Sequence, residues 1–470
     1  MTKSKKIQEL EAKLAERDAE LAEYTLLLAT ALSKIAQLES LVMSHVIKKT
    51  SKNSHLSPSS DIARKNQSLR GKSDNPVGGQ GGHKGHTLKM NPTPDIITPL
   101  RPDFCNVCGQ DLQNSIFEFL QSRQVIEIPP IVPITTEYQC FGTTCSCGHK
   151  AKGDFPEGVN SPIQYGPNVQ RLAIYNSYYQ FMPFQRLESF FRNVCNLPIC
   201  KGTIENILRR NAKKAEPAYE AIKEEVEAAI YIGSDETGFS LNGDKAWFPQ
   251  KGVWQNAKLT YIVASTSRSK SVIEEEFPDG LPNVILGSDR LAAQLSTKSK
   301  AKQICLAHLL RDLNYLIEAE KHTWSSDFKK ILQDAIILKQ LQDKYKENDA
   351  TSLAIEQYLD DLLSQEIYEQ LLKEPEKYKK TITFFKGMTN LRYSLFTFLY
   401  HKEVPFHNNG AERAFRMVKV KDKISGQFKS LQHVFATFRS VIDTAIKNGQ
   451  SVWDAILYIV NMPTSDSYAG

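Results

Sequence analysis

Three carboxylates occupy positions from which strands and a helix would present them to one crevice. The apolar run at 230–232 leads to Asp235, and the run at 283–286 leads to Asp289. The third carboxylate, Glu412, lies near the start of a predicted helix. Side chains at the carboxyl ends of strands in an α/β sheet face such a crevice. Three converging carboxylates with no compensating cation would repel one another, so their convergence would require a divalent metal.

Hard oxygen ligands of this kind suit magnesium or manganese. Two ions about 4 Å apart would activate a water or a 3′-hydroxyl group and stabilise the leaving oxygen of an in-line phosphoryl transfer. Simpler interpretations also fit: Asp235 and Asp289 could be ordinary turn residues at strand ends. Asn409 and Glu412 fit a capping box, in which Glu412 would then pair with Arg416 one turn later.

A basic segment follows the third carboxylate directly. Its members are Arg413, Arg416, Lys419, Lys421 and Lys423. An acidic site bordered by a basic face is typical of a centre that cuts DNA, and it is less typical of a purely structural helix. We therefore predict that Arg413 and Arg416 bind DNA.

The elements that would position these residues follow from the apolar periodicity. Short apolar runs at 230–232, 247–254, 259–264 and 283–286 predict strands of one mixed sheet. Helices are predicted from about 165 to 230 and again from about 300 to 400.

Within the first helical stretch, the pattern is a helix over 187–194, a break at 195–199, and a second helix over 201–210. It is similar to a helix-turn-helix, in which Arg209 and Arg210 would contact DNA, although any two packed helices make such a pattern.

Five of the eight cysteines lie in one short stretch of the chain. Cys105 and Cys108, followed by a glycine, form a knuckle that would bind one side of a tetrahedral metal. Cys145 and Cys147 are the candidates for the other pair. Because their spacing is tighter than Cys-x-x-Cys, Cys140 or His149 could replace one of them. The prediction is a structural zinc ion; free buried thiols are the alternative.

The chain carries a net charge of +6, and the region 48–89 alone holds nine Lys or Arg against two Asp. Such a basic segment suggests a polyanion partner, most often a nucleic acid, although a solvated linker is also compatible. Because the segment is rich in Ser and Gly, we expect it to be a flexible arm. The predicted DNA-binding residues here are Lys52, Arg64, Lys65, Arg70, Lys72 and Lys84.

The first 48 residues repeat in sevens. The apolar a positions are Ile7, Leu14, Leu21, Leu28, Ile35 and Val42. This pattern predicts a coiled coil that joins copies of the chain, although one amphipathic helix packed on its own domain would also fit.

The composition of the 470 residues, 41% hydrophobic and 24% charged, is that of an ordinary soluble protein. No apolar run approaches the roughly 18 residues of a membrane span, and no signal peptide is evident. We therefore expect a cytoplasmic protein without a membrane partner.

Several motifs, taken in chain order, resemble the bacterial insertion-sequence-66 family of transposases, which belong to the DDE group. They are the N-terminal heptads, the run at 52–61, the Gly-rich run at 78–86, the zinc knuckle, Asp235-Glu236-Thr237-Gly238, Cys305-Leu306-Ala307-His308, and Asn408-Asn409-Gly410-Ala411-Glu412-Arg413-Ala414. The last motif is the most specific of the seven.

The resemblance implies a ribonuclease-H-like core with Asp235, Asp289 and Glu412 as the first, second and third catalytic carboxylates. It also implies magnesium-dependent hydrolysis at the element ends, followed by strand transfer into target DNA. The flanks of Asp289 carry no distinctive motif, and Asp279 lies nearby as an alternative. Cys305 and His308 match a recurring motif of related transposases, or they are a core cysteine and a hydrogen-bonded histidine; we do not assign them to zinc.

The fold class predicted is therefore a multidomain α+β protein. Its parts are a coiled coil (1–48), a basic Ser/Gly-rich arm (49–96), a zinc-ribbon-like module (97–155), a helical, helix-turn-helix-like segment (156–228), the first part of a ribonuclease-H-like mixed α/β core (229–299), an all-helical insertion (300–400), and the C-terminal part of the core (401–470).

Two competing functions remain compatible with the sequence. A catalytically inactive or domesticated relative would bind DNA without cutting it, and a plain metal-dependent nuclease would cut without strand transfer. For the transposase, the expected partners are the element ends, the target DNA, a second copy of the chain, and accessory proteins encoded by the element.

Overall fold

The computed structural model describes residues 87–238, 250–265, 270–345, 349–426 and 432–463, together with positions 17, 21, 30, 34 and 84. The four positions below 35 are helical and exposed. The coiled-coil prediction otherwise falls outside the described residues. The same holds for five predicted DNA-binding residues: Lys52, Arg64, Lys65, Arg70 and Lys72.

A five-stranded mixed sheet forms the centre of the described chain. Two strands lie outside it, β1 (Gly142–Thr144) and β2 (Lys150–Lys152), which pair with each other. The strands of the central sheet are β3 (Tyr231–Gly238), β4 (Gln250–Gln255), β5 (Thr260–Ser265), β6 (Leu281–Ser288) and β7 (Ser299–Ile304). Their order is β5-β4-β3-β6-β7. The first three are antiparallel neighbours, and β3, β6 and β7 run parallel.

Helices cover both faces of this sheet. They are α1 (Pro167–Ile174), α2 (Phe184–Val194), α3 (Lys201–Glu227), α4 (Lys270–Glu276), α5 (Ala292–Ser296), α6 (Leu306–Ala319), α7 (Thr323–Tyr345), α8 (Asp349–Leu362), α9 (Gln365–Leu371), α10 (Lys379–Asn390), α11 (Thr397–Tyr400), α12 (Asn409–Ser425), α13 (Gln432–Lys447) and α14 (Val452–Asn461). A π-helical segment, Tyr175–Tyr179, continues α1, and a 3-10 turn, Arg392–Ser394, precedes α11.

The alternation of buried side chains along β5 explains why both faces are covered. Ile262 and Ala264 join a core with α1, α2 and the helices after Ala411, whereas Tyr261 and Val263 join a second core around Phe277. Successive strand residues point to opposite faces, so an entirely apolar strand must be packed on both. The mixed α/β sheet predicted from the short apolar runs is therefore present.

Strand β7 lies where the sequence predicts the beginning of the helices, from about residue 300. The segment Ser299–Ile304 reads SKAKQI, and only its last two residues, Gln303 and Ile304, are fully buried. Because this edge strand is half exposed, it contains two lysines and lacks the apolar run that identifies a buried strand. It forms a strand because its backbone pairs with β6, and backbone hydrogen bonds do not depend on the side chains.

Helices α2 and α3 flank the predicted break, and they pack into the core beneath the sheet. Leu187 and Phe191 of α2 are fully buried, as are Ile204 and Leu208 of α3. Farther along α3, the hydroxyl of Tyr219 donates a hydrogen bond to the backbone oxygen of β5 residue Ile262 at 2.8 Å. The two helices are thus continuous with the core that holds the sheet.

The described residues between β7 and α12 form helices and short connections with a core of their own. Trp324 lies at its centre, with its ring 5.0 Å from that of Phe328 and 5.3 Å from that of Phe385. The indole N–H of Trp324 donates to the backbone oxygen of Leu362 at 2.7 Å. This helical block separates Asp289 from Glu412 along the chain, while Tyr231 and Ile285 of the sheet pack against it.

Candidate active site

The register of the parallel strands aligns the two aspartates. Tyr231 of β3 pairs with Ile285 of β6, and Gly233 pairs with Gly287. Continuing this register by two residues sets Asp235 level with Asp289, which directly follows β6. Parallel strands present their carboxyl ends to the same crevice, so the two carboxylates are neighbours. Asp279 is exposed and lies before the amino end of β6, at the opposite end of the strand from Asp289. This position favours Asp289 as the candidate for the second carboxylate.

The third carboxylate reaches the same crevice from α12. His308 lies between it and the second carboxylate: Nδ1 of His308 is 3.0 Å from Oδ1 of Asp289, and Nε2 is 3.7 Å from Oε1 of Glu412. In the chain, 122 residues lie between Asp289 and Glu412. One imidazole ring therefore links two carboxylates that only the fold brings together.

Burial and mutual repulsion mark these carboxylates as one electrostatic unit. Burial, together with the charges of Asp289 and Glu412, raises the pKa of Asp235 to about 7, although the Glu236 N–H and His308 oppose the shift. Burial lowers the pKa of His308, but its bonds to Asp289 and Cys305 outweigh that and raise it to about 10. The neighbouring cation Arg290 is paired with Asp312 of α6, so it does not neutralise the group.

Asn408 fastens the helix of the third carboxylate to the sheet. Its side-chain Nδ2 donates to the backbone oxygen of Ser234 at 2.6 Å, and its backbone N–H donates to Sγ of Cys305 at 3.2 Å. Its backbone oxygen accepts from the N–H of Glu412 at 3.3 Å. Asn408 is only 2% exposed. This residue thus connects β3, the start of α6 and the start of α12. Its partners are Cys305, Glu412 itself, and Ser234, which precedes Asp235.

Two glycines permit the close approach on which this arrangement depends. A Cβ on Gly410 would lie 2.2 Å from Nε2 of Gln255, so a side chain there would displace the amide end of Gln255. A Cβ on Gly287 would lie 2.3 Å from the hydroxyl of Tyr231. The glycine inside the Asn-Asn-Gly-Ala-Glu-Arg motif therefore serves the packing of α12 on β4.

The donor atoms of the site fit a divalent cation. Oδ1 of Asp289 and Oε1 of Glu412 are buried; Oδ1 faces Nδ1 of His308 at 3.0 Å, whereas Oε1 accepts no hydrogen bond from the described residues. Buried carboxylate oxygens without hydrogen-bond donors are costly unless a cation compensates them. Together with Asp235 they form a set of hard oxygen ligands, the type that magnesium and manganese prefer.

His308 has contacts that the Cys-x-x-His spacing alone does not predict, because it lies beside two candidate catalytic carboxylates. The signal in the sequence is the motif itself, which is also compatible with a core cysteine and a hydrogen-bonded histidine. In the structure, the pair begins the helix that follows β7, a strand parallel to β6. Asp289 and Cys305 occupy corresponding positions, because Ser288 pairs with Ile304.

The cysteines of the predicted zinc module lie in two tight turns. In the first, the N–H of Gly109 donates to the oxygen of Cys105 at 2.8 Å, and Gly109 adopts φ +76°. In the second, Gly148 donates to the oxygen of Cys145 at 2.8 Å, with φ +85°. The described residues do not bring the thiols of both turns into one group of three or more ligands.

Both turns nevertheless stabilise a thiolate. The backbone N–H of Cys108 lowers the pKa of Cys105, and the backbone N–H of Cys147 lowers the pKa of Cys145. Backbone N–H groups directed at sulfur favour the anionic form, which is the metal-binding form.

The predicted DNA-binding side chains that the structure describes are on the surface. Lys84, Arg209, Arg210, Arg413 and Arg416 are all exposed. Arg209 also pairs with Glu205 one turn earlier, with a nitrogen–oxygen distance of 2.7 Å.

Lys421 departs from the basic face expected after Glu412. It is 7% exposed, and its Nζ donates to the backbone oxygen of Ser177 at 3.4 Å. Burial lowers its pKa to about 8. Lys421 points into the core because α12 packs on the π-helical segment, a contact between parts of the chain 244 residues apart.

Among the helices that the structure describes, none has the length and apolar character needed to cross a membrane.

Comparison with known families identifies the class of protein that carries this site: it is a transposase, an enzyme that acts on DNA. Residues 162–434 match the model of the transposase IS66 family, and this span includes Asp235, Asp289 and Glu412. The match covers more than half of the chain, so the chain belongs to the IS66 family of transposases. DNA is the partner that this membership implies. No curated protein matches the sequence.

Proposed function

We propose that this protein is a DDE transposase, which binds the ends of its insertion sequence and carries out metal-dependent DNA cleavage and strand transfer. The observation that carries the proposal is the meeting of Asp235, Asp289 and Glu412 from three separate elements at one end of the sheet. The mixed sheet, with its first two carboxylates on adjacent parallel strands, also supports a ribonuclease-H-like core.

Asp235, Asp289 and Glu412 would hold magnesium or manganese. When bound there, the metal would supply Lewis-acid stabilisation of the phosphoryl oxygens and lower the pKa of the attacking water or hydroxyl. The protein supplies the charge and the geometry: Asn408 ties the Glu412 helix to β3, and the strand register aligns the two aspartates. Metal binding would also relieve the mutual repulsion that raises the pKa of Asp235.

The DNA would be bound by exposed cations around this crevice. Arg413 and Arg416 lie on the same helix as Glu412, so they can contact phosphates next to the site of cleavage. Arg209, Arg210 and Lys84 would extend the contact. The basic residues Lys52, Arg64, Lys65, Arg70 and Lys72 are proposed to add sequence-independent affinity, as phosphate contacts do.

The two cysteine turns would share a structural zinc ion, bound by Cys105, Cys108, Cys145 and Cys147. The lowered thiol pKa values of Cys105 and Cys145 and the tight glycine turns support this assignment. We further propose that the N-terminal heptads join two copies of the chain, since cutting two element ends requires two active sites. Accessory proteins encoded by the element are expected to take part.

A cleavage and strand-transfer assay tests the proposal on a DNA fragment that carries the element end. Wild type is compared with Asp235→Asn, Asp289→Asn and Glu412→Gln in magnesium or manganese. The matched control is Asp279→Asn, an exposed aspartate at the other end of β6. We expect the three site variants to lose about 10³-fold or more in rate, because several kcal/mol of transition-state stabilisation depend on the metal.

DNA binding by the three variants is expected to persist, and the control is expected to cut like wild type. Wild-type protein that binds but never cuts would favour the DNA-binding relative over the enzyme. Cleavage without joined products would favour a plain nuclease. Full activity of Asp289→Asn would refute the assignment of the second carboxylate.

A further inference from the structure

Cys305, His308 and Asp289 form a compact group of three different ligand types beside the carboxylate centre. Each residue offers one ligand atom, and these three atoms lie within 4.8 Å of one another. They are the Sγ of Cys305, a ring nitrogen of His308 and a carboxylate oxygen of Asp289. Thiolate, imidazole and carboxylate together are a donor set that zinc and cobalt accept readily. Magnesium, which prefers oxygen ligands in octahedral geometry, does not match it.

The backbone holds the three donors together before any ion arrives. The N–H of Cys305 donates to the oxygen of Ser288 at 2.9 Å, which fixes Cys305 beside Asp289. His308 follows Cys305 by three residues in the first turn of α6, and this spacing sets both side chains on one side of the helix. The N–H of His308 donates to the oxygen of Cys305 at 3.2 Å.

The sulfur of Cys305 has the surroundings of a metal ligand. It is 1% exposed and accepts a hydrogen bond from the N–H of Asn408 at 3.2 Å. Cys305 is also the N-cap residue of α6, a helix of 14 residues, and a helix N-terminus favours a negative charge. N–H groups that donate to a ligating sulfur are typical outer partners of metal sites.

The group is open to ions from solvent. The side chain of Asp289 is 32% exposed and that of His308 is 12% exposed. Oδ1 of Asp289 is buried and faces Nδ1 of His308 at 3.0 Å, so an ion placed between them would meet both donor atoms. If Nδ1 binds an ion, Nε2 stays beside Glu412, an arrangement in which a carboxylate orients a ligating histidine.

We propose that Asp289, Cys305 and His308 bind a thiolate-accepting divalent cation of the zinc type, and that this cation inhibits transposition by withdrawing Asp289 from the catalytic centre. When the ion binds, the thiol proton of Cys305 and the Nδ1 proton of His308 pass to water, bonds form from the metal to sulfur, nitrogen and a carboxylate oxygen, and no electron is transferred. Only the inhibitory half of the inference rests on the proposed function. The binding half concerns the metal alone.

Cobalt binding to the full-length, metal-free protein tests the binding half. Cobalt is titrated into wild type and Cys305→Ser, and thiolate-to-cobalt absorption is recorded. The matched control is Cys195→Ser, a thiol that is equally buried but lies at the end of α2. We expect Cys305→Ser to bind one equivalent fewer than wild type and to lose the corresponding absorption, while the control behaves like wild type.

A second variant at another ligand keeps the test decisive if Cys305→Ser fails to fold. His308→Gln retains Cys305 and is expected to bind this equivalent at least about tenfold more weakly. Equal stoichiometry and equal thiolate absorption in wild type, Cys305→Ser and His308→Gln would overturn the inference.

Zinc titration of the magnesium-dependent cleavage reaction tests the inhibitory half. Each protein is compared with its own zinc-free rate, so a change in basal activity does not enter. The half-inhibiting zinc concentration is expected to rise at least about tenfold in Cys305→Ser. Equal inhibition of wild type and Cys305→Ser would overturn this half. If wild type does not cut DNA at all, the proposed function fails, whereas the cobalt stoichiometry still decides whether the metal site exists.

Discussion

The crevice with the three carboxylates and the cysteine turns both contain potential metal ligands, but their ligands come together in opposite ways. The crevice draws Asp235, Asp289 and Glu412 from distant parts of the chain and holds them through the buried Asn408. The cysteine turns draw their ligands from within three residues, and nearby apolar side chains such as Val107 are exposed.

This difference separates two roles for a metal. Packing and backbone register already organise the crevice, so an ion there would serve the reaction and relieve repulsion. The cysteine turns have no comparable core, so an ion there would itself supply the folding free energy that joins them. Removing a metal should therefore abolish activity at one site and local order at the other.

The largest effect should follow from loosening the organised site. Asn408→Ala removes the bond to the Ser234 oxygen and leaves that oxygen buried, at a cost of about 2 kcal/mol in the free energy of unfolding. Because Glu412 would then shift relative to Asp235, we expect cleavage to slow by about 10²-fold. Rates of DNA cleavage and urea unfolding measure the two effects.

Asn409→Ala is the matched control for this variant, since Asn409 is the next residue and is only partly buried. It should change cleavage and stability little. Equal loss of activity in both variants would refute the role that we assign to Asn408.

An intermediate effect should follow from weakening the cysteine turns. Cys108→Ser, or zinc chelation, is expected to raise the rate of proteolysis within 97–155 by about tenfold, because local order there depends on the metal. Proteolysis within the central sheet should remain slow. Mass spectrometry of the fragments identifies which region is cut. Cys200→Ser, which alters an exposed thiol at the start of α3, should leave both rates unchanged. Unchanged proteolysis after chelation would contradict a structural zinc ion.

The smallest effect should come from Lys421, a buried residue of α12, the helix that also carries Glu412. The folded-state pKa of Lys421 is about 8 against an ordinary 10.5, so the unfolded chain binds more protons between these values. The free energy of unfolding must therefore rise with pH across this window. Lys421→Met should reduce that rise, which Lys447, whose pKa burial also lowers to about 8, would still maintain in part, and it should stabilise the protein by about 1–2 kcal/mol at pH 7. Urea unfolding at pH 7 and pH 10 of wild type and variant measures both quantities; an equal or steeper rise in the variant would contradict the burial of Lys421.

The sequence was informative where a signal is local. Short apolar runs predicted four strands of the sheet, because the buried parts of these strands are apolar. The Asn-Asn-Gly-Ala-Glu-Arg motif marked the start of α12, where the amide of Asn408 bonds to β3.

The sequence was silent where a role arises from tertiary register. His308 reaches Asp289 only because β6 and β7 are neighbouring strands, and the residues 299–304 carry no apolar pattern that predicts β7. The choice between Asp279 and Asp289 likewise needed the alignment of β3 with β6. Lys421 shares a helical segment with exposed cations, and only the packing of α12 on Tyr175–Tyr179 turns it inward.

Manganese binding tests the central claim most directly, that three carboxylates from separate elements make one metal site. Free manganese is measured by electron paramagnetic resonance for wild type, Asp235→Asn, Asp289→Asn, Glu412→Gln and the control Asp279→Asn. We predict that each of the three site variants weakens binding by at least about tenfold, since each removes one anionic ligand, and that the control binds like wild type. Undiminished manganese binding in any of the three would contradict a shared site.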